Sequence, residues 1–146
     1  MIDGLPTGLV TFLVADVEGP ARLWEAEPEE MFPGLAWLRA TVAHFVALNN
    51  GVLRVSSSDS VVVTFGCAAD AVACSLYLQL EPLDPFALRI GLHSVDTDSN
   101  EGGSHVGMNG AAWLRDIARA GQTIMSGATA SLAADGLPPG ASLKEL

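Results

Sequence analysis

Two carboxylates stand where strands are expected to end. Asp16 follows the apolar run Leu9 to Val14 and precedes Glu18-Gly19-Pro20, while Asp59 lies in Ser56-Ser57-Ser58-Asp59-Ser60, between two short β-rich runs. Strand-end carboxylates beside a loop of free backbone N–H groups can hold Mg²⁺ on a phosphate chain: hard oxygen donors suit the ion, and the amides suit the phosphate. Asp is equally a common turn residue that bonds its own backbone, so the same pair also reads as two surface turns. Spacing alone leaves both readings open.

The elements that would position these groups follow from periodicity. Leu9 to Val14 reads as a strand buried on both faces, reaching Asp16. Apolar residues then recur at helical spacing to about Asn49 (Leu35, Leu38, Val42, Phe45, Val46), with Pro28 and Pro33 predicted to split off a short first helix. Asn49-Asn50-Gly51 is a stop signal. Val52 to Val55 and Val61 to Phe65 read as a hairpin, Ala68 to Leu80 as a helix and Phe86 to Val95 as a strand. Asp96 to Ser104 is polar and Gly-rich and is predicted to be a loop. Met108 to Ala120 is predicted helical, Thr123 to Met125 a short strand, and Ala128 to Ala134 a last helical segment. A hairpin between two helices excludes a doubly wound parallel sheet. The expected fold is α/β (α+β): a ferredoxin-like βααββαβ arrangement with a mainly antiparallel central sheet covered by helices, in one domain spanning 1–146.

Charge narrows the partners. The chain carries seven Lys and Arg against seventeen Asp and Glu, a net charge of −10. Its cations are scattered singly from Arg22 to Lys144, so no nucleic-acid surface is expected. The same acidity repels a bare polyphosphate, and a bound triphosphate would need metal ions. No uncharged apolar run approaches the roughly 20 residues of a spanning helix, and Met1 to Gly8 has no basic, cleavable leader, so a cytoplasmic protein without a membrane partner is expected. Cys67 and Cys74, about two turns apart, are predicted to be two buried free thiols on one helix face. His44, His93 and His105 read as surface or hydrogen-bonded residues, and Trp24 and Trp37 as packing residues.

A resemblance then adds to these readings. Leu5-Pro6-Thr7-Gly8-Leu9-Val10-Thr11-Phe12-Leu13-Val14-Ala15-Asp16-Val17-Glu18-Gly19, continuing to Arg22-Leu23-Trp24-Glu25, resembles the opening of class III adenylyl and guanylyl cyclase domains. It is most similar to the bacterial group that carries this domain at the N-terminus of multidomain regulators. Ala68-Ala69-Asp70-Ala71-Val72, Leu88-Arg89-Ile90-Gly91-Leu92-His93-Ser94, Asn109 with Ala111-Ala112, Ala120-Gly121-Gln122 and Leu137-Pro138 to Leu146 extend the likeness over nearly the whole chain. The resemblance implies that Asp16 and Asp59 are metal-binding aspartates, joined by the Val17 carbonyl. It implies that backbone N–H groups from Glu18 through Gly19 and Pro20 to Ala21 cradle a triphosphate, and that Asn109 is the ribose-positioning asparagine of an Asn-x-x-x-Arg helix motif. It also implies a head-to-tail homodimer, ATP or GTP as nucleotide, and Mg²⁺ or Mn²⁺ as a weak cofactor that folding does not require.

The departures from that family set the functional expectation. Trp113 stands where the transition-state arginine belongs, on the helix face shared with Asn109, and an indole carries no charge for the α-phosphate. Removing a comparable preorganised donor costs roughly 10²–10³ in rate. Arg115 lies about 200° around the helix from Trp113 and is therefore expected to point away from the site. The base-reading lysine position falls on Val55, with Arg54 expected on the opposite strand face. The second base-reading position falls among Gly102, Gly103 and Ser104. Ser58 and Ser60 flank Asp59 where the family has glycines, which tolerate positive φ and close approach. Pro20 and Ala21 replace a Ser-Thr pair, removing an amide donor and a hydroxyl. The chain ends before the family's last hairpin, so the domain is expected to be cut short at its C-terminus. The expectation is a cyclase-like pseudoenzyme with no intact catalytic residue, acting as a regulatory, dimerisation or weak nucleotide-binding module beside other domains of a signalling protein. The alternative is an active, divergent cyclase making cyclic AMP or cyclic GMP.

Overall fold

The computed structural model describes residues 8–18, 25, 28–57, 60–83, 86–97 and 103–145. Strands β1 (Leu9–Val17), β2 (Gly51–Ser56), β3 (Ser60–Phe65), β4 (Leu88–Asp96) and β5 (Thr123–Met125) form one sheet in the order β2-β3-β1-β4-β5. All neighbours are antiparallel except β4 and β5. Helices α1 (Pro28–Leu48), α2 (Ala68–Leu80), α3 (Gly103–Ile117) and α4 (Gly127–Ala133), with a 3-10 turn at Ala134–Gly136, complete the described elements. The mainly antiparallel α+β architecture expected from the sequence is the one found.

Strand β1 sits at the centre because both of its faces are apolar. Leu13, Ala15 and Val17 join Leu35, Leu38 and Val42 of α1 and Ala71, Cys74 and Leu78 of α2 in the larger core. Val10, Phe12 and Val14 point the other way and meet Ala111 of α3. Burying each large apolar side chain contributes about 1.5–3 kcal/mol, so both helical layers are fastened to this one strand. Asp16 continues the even-numbered series and lies on the α3 side.

Four local expectations are corrected. Pro33 does not divide the first helical region; it lies inside the continuous α1. Its ring is on the exposed side, while Leu35, Leu38, Val42 and Val46 bury one stripe and outweigh the missing hydrogen bond. Helix α3 begins at Gly103, within the segment read as a loop, and ends at Ile117. Gly107 in its second turn is seated against Phe12 and Val95, where a side chain would clash, and that contact offsets the poor helix propensity of glycine. Cys67 is exposed, whereas Cys74 is buried. Cys67 caps α2 with extended backbone (φ −136°, ψ 123°), outside the helical period that the paired-thiol reading assumed. Trp37, expected to pack, is also largely exposed. Among the described residues no helix is long and apolar enough to cross a membrane.

Candidate functional site

The site gathers at one end of β1. Register places Asp16 opposite Ser60 of β3 on one side and Arg89 of β4 on the other. The two strands expected to carry the carboxylate pair are therefore neighbours. Asp59 itself, with Gly19, Pro20, Ala21 and Gly102, lies outside the described residues, as does the side chain of Ser104.

Asp16 is the best-defined charged group here, only 16% exposed. Arg89 forks onto it: Nε donates to Oδ1 at 2.9 Å and the second guanidinium nitrogen to Oδ2 at 2.6 Å. Such bidentate pairs combine charge with matched planar geometry. The bond to Asp16 raises the Arg89 pKa above its usual value, partly opposed by desolvation. Arg115 of α3 approaches the same carboxylate, its Nε 3.5 Å from Oδ2 and its side chain 18% exposed. It also donates to Asp116 from Nε and from a terminal guanidinium nitrogen, at 3.0 and 2.8 Å.

Arg115 does lie on the helix face opposite Trp113, as expected, and that face meets the strand-end carboxylate. The angular argument is sound: Trp113 and Arg115 do face opposite sides of α3. Trp113 is the outward residue, 64% exposed, so the opposite side is the one that meets the sheet. Close approach makes the contact reachable. Gly91 of β4 lies beneath Ala111 and Arg115, and a Cβ there would overlap the Ala111 carbonyl oxygen. Strand parity and the position of Gly91 carried the signal, but only knowledge of the exposed helix face could turn it into a prediction.

The outer face of α3 carries Val106, Asn109, Trp113 and Ile117, all exposed and spaced three or four residues apart. Asn109 and Trp113 thus share a face, as their spacing predicts. On the same side of the sheet, beyond β1, lie Val52 and Val55, 48% and 53% exposed. Strand β2 is irregular here: Val52 pairs with Thr64 and Val55 with Val62, leaving Arg54 as the extra residue of a bulge. Arg54 Nε donates to Thr64 Oγ1 at 2.9 Å, so the arginine lies on the Val55 side and not, as strict alternation predicted, on the opposite one.

One expected phosphate-binding amide is already engaged within the chain. The Glu18 amide donates to the Ala87 carbonyl at 2.9 Å and is not offered to a ligand. Val17 is buried and pairs opposite Leu88. Among the described residues there is no cluster of three or more His, Cys, Asp or Glu able to hold a metal ion. Both oxygens of Asp16 face guanidinium groups. Among the described residues none is placed to hold a divalent cation, Asp59 lying outside them.

Two further features border the site. A cleft of about 30 Å³ between α1 and the ends of β1 and β3 is lined by Asp16, Arg39, Ser57, Ser60 and apolar residues. That is room for about two waters, far below the roughly 300 Å³ of a small-molecule pocket. On the other face of the sheet, under α4, hydroxyls link Thr11 to Ser94 at 2.7 Å, Ser94 to Thr129 at 2.8 Å and Thr129 to Ser126 at 3.2 Å. Ser126 meets His93 Nδ1 at 2.8 Å. Burial lowers the His93 pKa. This chain satisfies polar groups between the sheet and α4, in keeping with the hydrogen-bonded role expected for His93.

No family model matches the chain. Two uncharacterized proteins of Mycobacterium tuberculosis are similar to it: one is 42% identical over 97% of this chain and 50% of its own length, the other 41% identical over 88% and 53%. The chain therefore spans about half the length of these curated relatives. Among solved structures, the adenylyl cyclase CyaB from P. aeruginosa matches with a TM-score of 0.73 at 19% identity, covering 88% of this chain and 81% of that one. The guanylate cyclase domain of RhGC from Catenaria anguillulae, in complex with GTP, matches at 0.70 and 16% identity, covering 86% and 81%. A guanylyl cyclase domain of the RhoGC fusion protein from Blastocladiella emersonii, crystallised as a dimer of non-standard arrangement, matches at 0.75 and 16% identity, covering 88% and 84%. With its strand order, its central β1 and its helices on both sheet faces, this chain has the fold of the class III adenylyl and guanylyl cyclase catalytic domains.

Proposed function

We propose that this chain is a catalytically impaired cyclase-type domain, of the kind carried by bacterial multidomain regulators, that serves as a regulatory and dimerisation module in intracellular signalling. The observation that carries the reading is the outward face of α3, where an exposed indole stands four residues after Asn109 in place of a guanidinium. The remaining cation of that helix near the sheet, Arg115, is turned inward onto Asp16. A transition state that gathers negative charge at the α-phosphate then lacks its donor, at a cost of roughly 10²–10³ in rate for that group alone.

The exposed apolar side chains of β2 and α3 support a homodimer, since a dimer would cover Val52, Val55, Val106 and Trp113. The head-to-tail arrangement implied by the resemblance would bring Asn109 and Trp113 of one copy towards Asp16 and Asp59 of the other. In that arrangement ATP or GTP would bind weakly between subunits, which suits a chain whose described cleft is too small for a nucleotide. The test is an incubation of purified protein with ATP or GTP and Mg²⁺ or Mn²⁺, followed by chromatography for cyclic products. The expected result is no product above background from a protein that sediments as a dimer. Cyclic nucleotide formed at ordinary turnover and abolished by Asp59→Ala would overturn the reading.

A second reading, an active divergent cyclase, is favoured by one feature. The β2 bulge brings Arg54 to the face of Val55, so a cation does stand near the position from which a lysine would read the base. If that reading holds, Arg54→Ala should abolish whatever cyclic product the parent makes.

A further inference from the structure

The positive charge at the end of β1 belongs to the protein. Asp16 is held by the Arg89 fork and faced by Arg115 at 3.5 Å. Arg115 is not a free surface residue that happens to lie near. Its helix is brought onto β4 by Gly91, whose missing side chain leaves room for the Ala111 carbonyl and the Arg115 amide. Ala111 and Leu114 on the same helix are buried and hold that approach. Asp116 steadies the guanidinium from the other side.

We infer that Arg115 is a built-in counter-ion for Asp16 that takes the place of a divalent cation, so the strand-end carboxylate of this chain is charge-balanced without metal. The inference rests on reading Asp16 as the strand-end carboxylate of a cyclase-type site, and adds that this chain has exchanged metal for guanidinium there. Arg115 touches no substrate in this role. It is a charge-balancing residue that acts through Asp16. A cation arriving at Asp16 would meet a fixed positive charge within a few ångströms, and removing one such charge about 6 Å from a divalent ion is worth about tenfold in affinity even at the dielectric of bulk water.

The test needs no nucleotide and no turnover, so its failure is distinguishable from the failure of the proposed function. Mn²⁺ is titrated into the parent chain, Arg115→Gln, Arg115→Lys and the double variant Arg115→Gln/Asp16→Asn, with free Mn²⁺ read by electron paramagnetic resonance. Arg115→Gln should bind Mn²⁺ about tenfold more tightly than the parent. Arg115→Lys should stay with the parent because it keeps the charge, and Asp16→Asn in the Gln background should remove the gain. Equal affinity of parent and Arg115→Gln, or a lysine variant that behaves like the glutamine one, would overturn the inference. A second measurement covers the case in which Arg115→Gln does not fold. In EDTA, Asp16→Asn should melt about 4 °C below the parent, because it leaves the partly buried Arg89 guanidinium without its acceptor and Arg115 without one of its two countercharges. An unchanged or raised melting temperature would mean that the carboxylate is not committed to the arginines, and would sink the idea as well.

Discussion

Gly91→Ala is the substitution that most directly tests how the site is assembled. An added methyl would overlap the Ala111 carbonyl oxygen and lie 2.5 Å from the Arg115 amide nitrogen. Both obstacles are helix backbone, so no side-chain tip can swing aside; α3 itself must lift from β4. Overpacking of a close-packed contact costs about 1–3 kcal/mol, and rigid obstacles on both sides argue for the upper end. For a domain of this size that corresponds to a melting temperature lower by about 6–10 °C. Gly127→Ala is the matched control. It opens α4, an added Cβ there meets nothing within 4 Å, and the shorter list of unfolded conformations should leave melting unchanged or slightly raised. Differential scanning calorimetry of the two variants decides the matter. The lift should also carry Arg115 away from Asp16, so Gly91→Ala and Asp16→Asn should destabilise by less together than their separate effects sum to. A Gly91→Ala protein that melts within about 2 °C of the parent would refute the claim that this glycine seats α3.

Two further outcomes follow from burial. At pH 8, one thiol per chain should react with a disulfide reagent in the native state and two after denaturation, because Cys67 is exposed whereas burial pushes Cys74 up to about 12; rapid native reaction of both would contradict the fold around α2. Burial holds the His93 pKa below its usual value, so the unfolded chain binds a proton first on acidification and this contribution to stability is lost as pH falls below about 6.5. Denaturant titrations between pH 7 and 5 should show a shallower loss for His93→Gln than for the parent, and an equal slope would remove His93 from the account.

Where the sequence could be read, one physical pattern sufficed. The run from Leu9 to Val14 is apolar on both faces, and the structure buries both, in two different layers. Ala68–Leu80 was legible at both ends because a sustained apolar stripe is stopped by Glu81-Pro82. Errors arose where tertiary contact overrides a local preference. Pro33 should stop a helix, yet a buried stripe carries α1 through it, and the glycines before Met108 should form a loop, yet Gly107 fits only a helix lying against Phe12. A bulge defeats period-two reasoning altogether. Nothing in Leu53-Arg54-Val55 announces that two residues will oppose one, although that single insertion decides which side of the sheet a cation occupies.

The same limit governs the site. A motif comparison notices that Trp113 is not arginine and concludes that charge has been lost from α3. The helix does carry a cation two residues on, at Arg115, on the face that meets β4 and not on the exposed face of Trp113. Charge facing outward is available to a partner subunit or a ligand, and charge facing inward is spent on the fold. With Arg89 already bidentate on Asp16, a second guanidinium adds little to a pair that is satisfied. Its larger effect is on what else the carboxylate could bind. On the inference drawn above, a strand end that would otherwise attract a divalent cation becomes indifferent to one, and the outward face of α3 around Trp113 carries no lysine or arginine. That combination is what a domain needs if it is to associate through this surface without doing chemistry there.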